Sequence, residues 1–386
     1  MDSTNSGTKT NGTEATQEPA SNVTNNSSMG YPIFVTNAQA GAATFAGSES
    51  RNFSYYTPKK KNPSVYEDVT VDVQPDPKRH LLQDWIISFG DGTPGFSSMR
   101  TKLKSSDWHV FRDPHEQWNR SFYIREGNTV RQIQQNIANA KAEGSFAHWD
   151  PGWAKIVASH VGALMHAEYG LGMQVFVQAQ RDGMTNMINT AITVNSMDKL
   201  RSGQEMAIYN MEVAEQIPGF DQAAHKETWM NDPAWQGVRE NVERLTATSD
   251  WTEQIFAANL VYEPLCEELF RSQFVMQFAA PHGDFVTPTF IGVAEYDYQR
   301  NLEWTLELFK MLTSDSQYGE ENKRVLQSWL VQWVPLSVKA ARLLQPIWSQ
   351  PRIKVLRFEE AYERAKARFN DILVQLNVQL PKEVSL

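Results

Sequence analysis

Two short segments with the same spacing carry the residues best placed for chemistry. They are Asp198-Lys199-Leu200-Arg201-Ser202 and Asp297-Tyr298-Gln299-Arg300-Asn301. In each segment an Asp and an Arg three positions apart lie on one face of a helix, where they can pair. Glu168 precedes the first segment and Glu263 precedes the second, by 30 and 34 positions. Carboxylates contributed by four packed helices form the donor set of a site for two metal ions.

The other ligands of such a site are replaced at four positions. The site needs Glu-x-x-His on two of its helices. Here Lys199 and Tyr298 stand at the Glu positions, and Ser202 and Asn301 stand at the His positions. A lysine is protonated at neutral pH, so it offers no lone pair and places a cation where the metal ions would lie. The sequence therefore predicts a metal-site architecture in which none of these positions binds metal.

The two remaining carboxylates, Glu168 and Glu263, have no imidazole partners. A buried carboxylate needs a charge partner or must be neutralised, so we expect Lys199, Arg201 or Arg300 to pair with them. The former metal cavity is then predicted to be filled by contacts among Glu168, Lys199, Arg201, Tyr298 and Arg300. The four supporting residues Asp198, Arg201, Asp297 and Arg300 are assigned a structural role.

Four long apolar-rich runs predict the helices that position these residues. Two helix pairs are expected over about 153–216 and 252–312, divided by turn-like stretches at 181–183 and 281–284. Each pair carries a Glu on its first helix and Asp-x-x-Arg on its second. Glu267, Glu268 and Arg271 are predicted to form an ion pair on a helix surface. Further helices are expected over about 320–378, so the fold class is mostly α.

The chain before these helices divides into two parts. Residues 1–29 are rich in Ser, Thr and Asn, which predicts a disordered polar tail. Residues 30–77 predict an extended arm, in which Val69, Val71 and Val73 alternate with polar residues, and residues 78–386 a helical domain. The arm suits a partner surface, although it could instead wrap around its own helical body. Its predicted interface residues are Phe34, Phe45, Phe53, Tyr55, Tyr56 and Tyr66.

Composition excludes several classes of protein. The formal net charge is −9, which argues against a nucleic-acid binder. Cys266 is the single cysteine, so no intrachain disulfide can form and a reducing cytoplasm is the expected location. No apolar stretch of about 18 residues is present, so we expect no contact with a membrane.

The chain resembles the β (small) subunit of the hydroxylase component of soluble diiron monooxygenases, most closely the propane-type enzymes. Residues 197–204, 283–290 and 295–301 carry this resemblance, which extends from about Phe53 to the carboxyl end. It implies a ferritin-like helical bundle with a degenerate diiron four-helix core, extra helices and a long extended N-terminal arm. It also implies no cofactor in this chain and a diiron centre in a large (α) subunit, with which the chain forms an α2β2 complex.

The resemblance further implies a coupling protein and a reductase that carries FAD and a 2Fe-2S cluster and uses NADH. The predicted function is that of a non-catalytic structural subunit, which supports the O2-dependent hydroxylation of a small hydrocarbon or ketone. Two alternatives stay open from the sequence. One is a helical interaction protein unrelated to oxygenases, and the other is a free-standing ferritin-like oxidase with an atypical metal site.

Overall fold

Helices make up the regular secondary structure of this computed structural model, which describes residues 58–71 and 100–386. No strand occurs within these ranges, so the predicted mostly-α class is confirmed. The predictions for the polar tail, for most of the arm and for the first part of the helical domain lie outside the described residues.

The long helices are numbered here along the chain. They are α1 (Asn119–Ala142), α2 (151–182), α3 (Asn186–Gln216), α4 (Ala224–Asn231), α5 (Pro233–Ala247), α6 (251–278), α7 (Thr287–Thr313), α8 (Gly319–Leu344) and α9 (Phe358–Leu376). The pairs α2–α3 and α6–α7 correspond to the two helix pairs expected from the sequence.

Helices α2, α3, α6 and α7 pack together as a four-helix core. Helix α1 lies across α3 and α7, and α5 lies against α2 and α6. Helix α8 packs on α5, α6 and α7, and α9 lies against α6 and α7. Large apolar side chains fill the spaces between these layers, and the rings of Trp153, Trp235, Trp251 and Trp333 are at most 1% exposed. Four helices are therefore held rigidly around one axis, which is what a carboxylate site needs.

Two of the core helices, α2 and α6, contain π-helical turns. In α2 these turns are Val157–Val161 and Gly170–Phe176, and in α6 they are Phe256–Glu267 and Leu269–Val275. Pro264 lies inside the longest one, and a proline has no N–H to donate to the helical ladder. Because a π turn bonds residue i to i+5, it changes which side chains share a face of the helix.

Acidic side chains lie at the beginnings of three of the four core helices, α2, α6 and α7. Asp150 caps α2 by accepting from the N–H groups of Gly152 and Trp153, and Asp250 caps α6. Asp284 accepts from the backbone N–H of Thr287 at 2.9 Å and from the indole of Trp153 at 2.8 Å. These contacts fix where each helix begins and so which residues point into the core.

The turn before α7 requires a glycine. Gly283 has φ of 82°, in the left-handed region that favours glycine. A Cβ at this position would lie 2.4 Å from the carbonyl oxygen of His148. The close approach of these two backbone segments ties the start of α7 to the segment that leads into α2.

The described part of the arm differs from its prediction. Residues Glu67–Val71 form a π-helical turn, so Val69 and Val71 are not extended. The Glu67 carboxylate accepts from the N–H of Ser64 at 3.0 Å, which stabilises the turn. Tyr66 is 2% exposed, and its hydroxyl accepts from the N–H of Asp113. Its assignment to a partner interface is corrected, because the side chain packs inside its own chain.

Candidate metal centre

The ammonium of Lys199 lies at the centre of the four-helix core. Its Nζ is 2.9 Å from Glu168 Oε1 on α2 and 3.0 Å from Glu267 Oε2 on α6, and it also contacts Glu263 Oε1. The Lys199 side chain is 7% exposed, and the three carboxylates are at most 1% exposed. A covalently attached cation therefore occupies the space between three carboxylates.

Arg271, from α6, supplies a second cation to the same three carboxylates. Its guanidinium lies 2.7 Å from Glu263, 3.0 Å from Glu267 and 3.3 Å from Glu168. Arg271 also pairs with Glu295 on α7, and its side chain is fully buried. The five residues Glu168, Lys199, Glu263, Glu267 and Arg271 are called the inner cluster below.

The charges of the inner cluster control one another's protonation. Burial alone would lower the pKa of Lys199, but its three carboxylate neighbours outweigh burial and raise the pKa above its ordinary value. Burial raises the pKa of Glu263, and the cations Arg271 and Lys199 oppose that rise. The Tyr262 hydroxyl donates to Glu267 at 2.9 Å. Lys199 is therefore a fixed positive charge at neutral pH.

The Asp-x-x-Arg segments form a second cluster, between α3, α7 and α1. The Arg300 guanidinium lies 2.8 Å from Asp198 and 2.9 Å from Asp297, and Arg201 of α3 reaches across to Asp297 on α7. Asp198 also pairs with Arg125 of α1 at 2.6 Å. Burial raises the pKa of Asp198, as does the nearby Asp297. With Glu126, which pairs with Arg201, these residues make the outer cluster.

The three other replaced positions make hydrogen bonds or remain unpaired. Tyr298 donates from its hydroxyl to the carbonyl of Asn259 at 3.1 Å, and Asn301 donates to Asp198 at 3.0 Å. Ser202 is buried, and its hydroxyl has no hydrogen-bond partner. The cavity beside it measures about 10 Å³ and is lined by Glu168, Asp198, Lys199, Ser202, Ala294, Asp297, Tyr298 and Asn301.

The donor chemistry of this centre does not fit a pair of iron ions. The carboxylate oxygens of Glu168, Glu263 and Glu267 lie within 4.8 Å of one another, as do those of Glu126, Asp198 and Asp297. Each set is already paired with Lys or Arg, and neither contains a histidine. A cavity of about 10 Å³ is near the minimum for one water, whereas two-metal sites separate their ions by about 3.5–4 Å.

The sequence identified the location of the centre but only part of its pairing. Lys199 was correctly expected to pair with Glu168 and Glu263. Arg201 and Arg300 were expected to join it, but they bind the two Asp residues of the outer cluster instead.

The interpretation of Glu267 and Arg271 as a surface ion pair was wrong, because both side chains are at most 1% exposed. The i, i+4 spacing of Glu263, Glu267 and Arg271 was the signal that could have revealed them. Glu268, the third member of that predicted group, is partly buried elsewhere, with Arg368 at 3.5 Å. Phe34, Phe45, Phe53, Tyr55 and Tyr56 lie outside the described residues.

Comparison with known proteins identifies the class. Residues 85–316 match the family described as methane/phenol/alkene hydroxylase. The chain belongs to this family. A crystal structure of xenon-pressurised phenol hydroxylase from Pseudomonas sp. OX1 shares the fold, with a TM-score of 0.70 at 19% identity. That match covers 87% of this chain and 99% of the other.

Within the family, one relative is the propane 2-monooxygenase hydroxylase component small subunit of Rhodococcus jostii (strain RHA1). It is 47% identical over 352 residues, which cover 91% of this chain and 96% of the relative. The methane monooxygenase component A beta chain of Methylosinus trichosporium is 28% identical over 302 residues, covering 76% of each chain. The resemblance to hydroxylase small subunits of the propane type is therefore confirmed, and an origin unrelated to oxygenases is excluded.

Among the described residues, no helix combines the length and the apolar character needed to cross a bilayer.

Proposed function

We propose that this chain is the non-catalytic small subunit of a propane-type monooxygenase hydroxylase. The observation that carries the proposal is the Lys199 ammonium seated among Glu168, Glu263 and Glu267. A family member with a fixed cation at this point serves the complex through its fold and its surfaces. Similarity to a relative named as a propane 2-monooxygenase small subunit supports the substrate class, propane or another small hydrocarbon or ketone.

The proposed partner is a large subunit that carries the diiron centre, in an α2β2 hydroxylase. A reductase with FAD and a 2Fe-2S cluster would deliver electrons from NADH to that subunit, and a coupling protein would regulate it. The part of the arm before Tyr66, whose own ring is buried in this chain, would add contact area without a core of its own. Cys266 is the single cysteine, so no intrachain disulfide can form, which supports a cytoplasmic location.

Iron counting on separated subunits tests this proposal against a free-standing oxidase. The chain is expressed alone, loaded with Fe(II) under argon and desalted. The amount of iron per polypeptide is then measured, and Mössbauer spectra are recorded to detect a coupled pair of iron ions. We expect well under one iron per chain, because four of the six ligand positions hold Lys199, Ser202, Tyr298 and Asn301. Two irons per chain with the signal of a coupled pair would refute the proposal.

Co-expression supplies the positive arm of the same test. The large subunit encoded with this chain should co-purify with it in equal amounts and should contain the iron. Hydroxylation of propane should require both subunits, together with the coupling protein and the reductase. A large subunit that is fully active without this chain would contradict the proposed supporting role.

A further inference from the structure

Two histidines from different helices face each other between α2 and α4. The Nε2 of His166 lies 2.9 Å from the Nδ1 of His225, and the two ring centroids are 5.0 Å apart. Both side chains are partly buried, and neither belongs to the inner or the outer cluster. The ring of Trp229 on α4 stacks on His166, with the ring centroids 5.5 Å apart, and covers one side of the pair. Two imidazole nitrogens therefore meet at the edge of the bundle.

A glycine on α2 makes this close approach possible. Gly162 lies one helical turn before His166, on the same face of α2. A Cβ at Gly162 would lie 2.8 Å from the Cβ of His225. Non-bonded carbon atoms pack at about 3.5–4.0 Å, so any larger residue at this position would push His225 away. The glycine therefore lets α4 come near enough for the ring of His225 to reach His166.

Helix α3 adds a third polar group, the side-chain amide of Asn210. This side chain is 3% exposed, and its Nδ2 is buried without a hydrogen-bond partner. The Nδ2 lies 2.7 Å from the position that a Cβ on Gly162 would take, the same position that lies 2.8 Å from the Cβ of His225. The amide therefore ends beside the histidine pair. A half-turn of the amide would present the lone pairs of its Oδ1 there.

Both imidazoles are uncharged at neutral pH. Burial lowers the pKa of His166 to about 4, and the neighbouring His225 and Lys226 add to this effect. Burial also lowers the pKa of His225, while Asp221 opposes that shift. The hydrogen bond between the rings thus joins two neutral groups. When its proton moves to the opposite nitrogen of the donating ring, each facing nitrogen keeps a lone pair, and neutral imidazole is the form that binds metal ions.

The separation of the two nitrogens favours a particular type of metal ion. With metal–nitrogen bonds of about 2.0–2.1 Å, nitrogens 2.9 Å apart subtend an angle of about 90° at the ion. The tetrahedral geometry that zinc prefers would need a separation of about 3.3 Å. Angles near 90° belong to the square-planar and tetragonal sites of Cu(II) and Ni(II). Among the described residues no third His, Cys, Asp or Glu lies close enough to join the pair, so water fills the remaining positions.

We propose that His166 and His225 form an exchangeable binding site for a divalent late transition-metal ion, Cu(II) or Ni(II), with the amide of Asn210 as a third ligand. The ion takes the place of the hydrogen bond between the rings, and a small rotation of each ring directs both lone pairs onto it. The site is separate from the inner cluster, whose cations are Lys199 and Arg271. Fe(II) binds less tightly than Ni(II) or Cu(II) to a given set of nitrogen ligands, so the expected iron count is unaffected.

Copper binding to the full chain tests the site. CuCl2 is titrated into the protein at pH 7, binding is followed by calorimetry, and EPR spectra of the complex are recorded. We expect one Cu(II) per chain, nitrogen splitting from two imidazoles, and a loss of tryptophan fluorescence that is smaller in Trp229→Phe. His225→Gln and Gly162→Ala should each weaken binding by about 10-fold or more, the loss that even indirect partners of a metal cause. His148→Gln is the matched control, because His148 is exposed, and it should bind like the wild type.

Other outcomes would overturn the proposal. If the wild type binds neither Cu(II) nor Ni(II), the histidine pair is a structural hydrogen bond only. If His225→Gln has the circular dichroism of the wild type and still binds copper equally well, or if His148→Gln loses as much affinity, the ion is bound elsewhere. The EPR spectrum of the wild type needs no variant, so it decides the matter even where a substitution prevents folding: a spectrum without the splitting from two imidazoles would refute the site.

Discussion

Replacing Lys199 by Ala should destabilise the chain severely. The substitution removes one of the two cations of the inner cluster and leaves Glu168, Glu263 and Glu267 to Arg271 alone. Breaking a buried ion pair by removing one partner costs about 3–5 kcal/mol, because the other charge stays buried. With the Lys199 side chain 7% exposed, little water can enter to compensate. We expect a loss of free energy of unfolding in that range.

Urea unfolding followed by circular dichroism at pH 7 measures this loss. Lys339→Ala is the matched control, because Lys339 pairs with Glu240 at 2.7 Å but its side chain is 57% exposed. Exposed pairs contribute little, so the control should unfold almost like the wild type. If Lys199→Ala and Lys339→Ala unfold at the same urea concentration, the inner cluster is hydrated and the reasoning fails.

The same variant should show a characteristic dependence on pH. The pKa of Lys199 is raised in the folded chain, so its stabilising contribution is complete below the unfolded pKa of about 10.4 and is lost only as the pH rises through the higher folded value. In Lys199→Ala the unpaired carboxylates take up a proton as the pH falls. The deficit relative to wild type should therefore shrink between pH 8 and pH 5. A deficit that is constant over this range would contradict the electrostatic explanation.

Three further predictions concern other parts of the chain. Burial raises the pKa of Glu268 from 4.5 to about 7, so its contribution to stability is present below pH 4.5 and is lost as the pH rises through about 7. Glu268→Gln should therefore be more stable than wild type at pH 8, by up to about 3 kcal/mol. The difference in stability, measured by thermal unfolding, should close at pH 5, and an equal difference at both pH values would contradict this. Ser202→Ala should be neutral or stabilising by up to about 1 kcal/mol in urea unfolding, because the buried hydroxyl has no partner, and a clear loss would show that the hydroxyl is hydrogen-bonded. Deletion of residues 1–29 should leave co-purification with the large subunit intact, while deletion of residues 1–65 should weaken it and lower hydroxylation. A fully active complex with the longer deletion would show that the arm is dispensable.

The sequence predicted the helices and the location of the centre because both depend on local spacing. The apolar runs and the turns between them gave two helix pairs, and the Asp-x-x-Arg spacing placed Asp198 and Asp297 on inward faces. The replacement of ligands at Lys199 and Tyr298 was visible from residue type alone. These inferences needed no knowledge of how one helix is oriented against another.

Arg201 and Arg300 were expected to pair with the Glu residues of the inner cluster, but they pair within the outer cluster. This choice of partner depends on how the helices are oriented against each other, which local sequence spacing does not predict. Arg300 pairs with Asp297, three positions before it on the same helix, as expected. Arg201 of α3, however, pairs with Asp297 of the neighbouring helix α7. Glu267 and Arg271 lie in the π turns of α6 and are buried in the core. The i, i+4 spacing places Glu263, Glu267 and Arg271 on one side of the helix, but spacing alone does not tell whether that side faces the core or the solvent.

The part of the arm next to the bundle was mispredicted for another reason. Alternating Val69 and Val71 predicted an extended segment, but side-chain contacts of Glu67 decide the local conformation. Its carboxylate accepts from the N–H groups of Lys59 and Ser64 and lies 3.6 Å from Arg112. A tertiary ion pair outweighed a weak local preference.

Because the cations of the inner cluster are the side chains of Lys199 and Arg271, the folding of the chain does not depend on a separate cation. A bundle that is stabilised by bound metal couples its folding to the supply of that metal, and a chelator unfolds it. Here the positive charges between the carboxylates belong to the side chains of Lys199 and Arg271, so a chelator cannot remove them. The folding of this core is therefore not coupled to the supply of a metal ion.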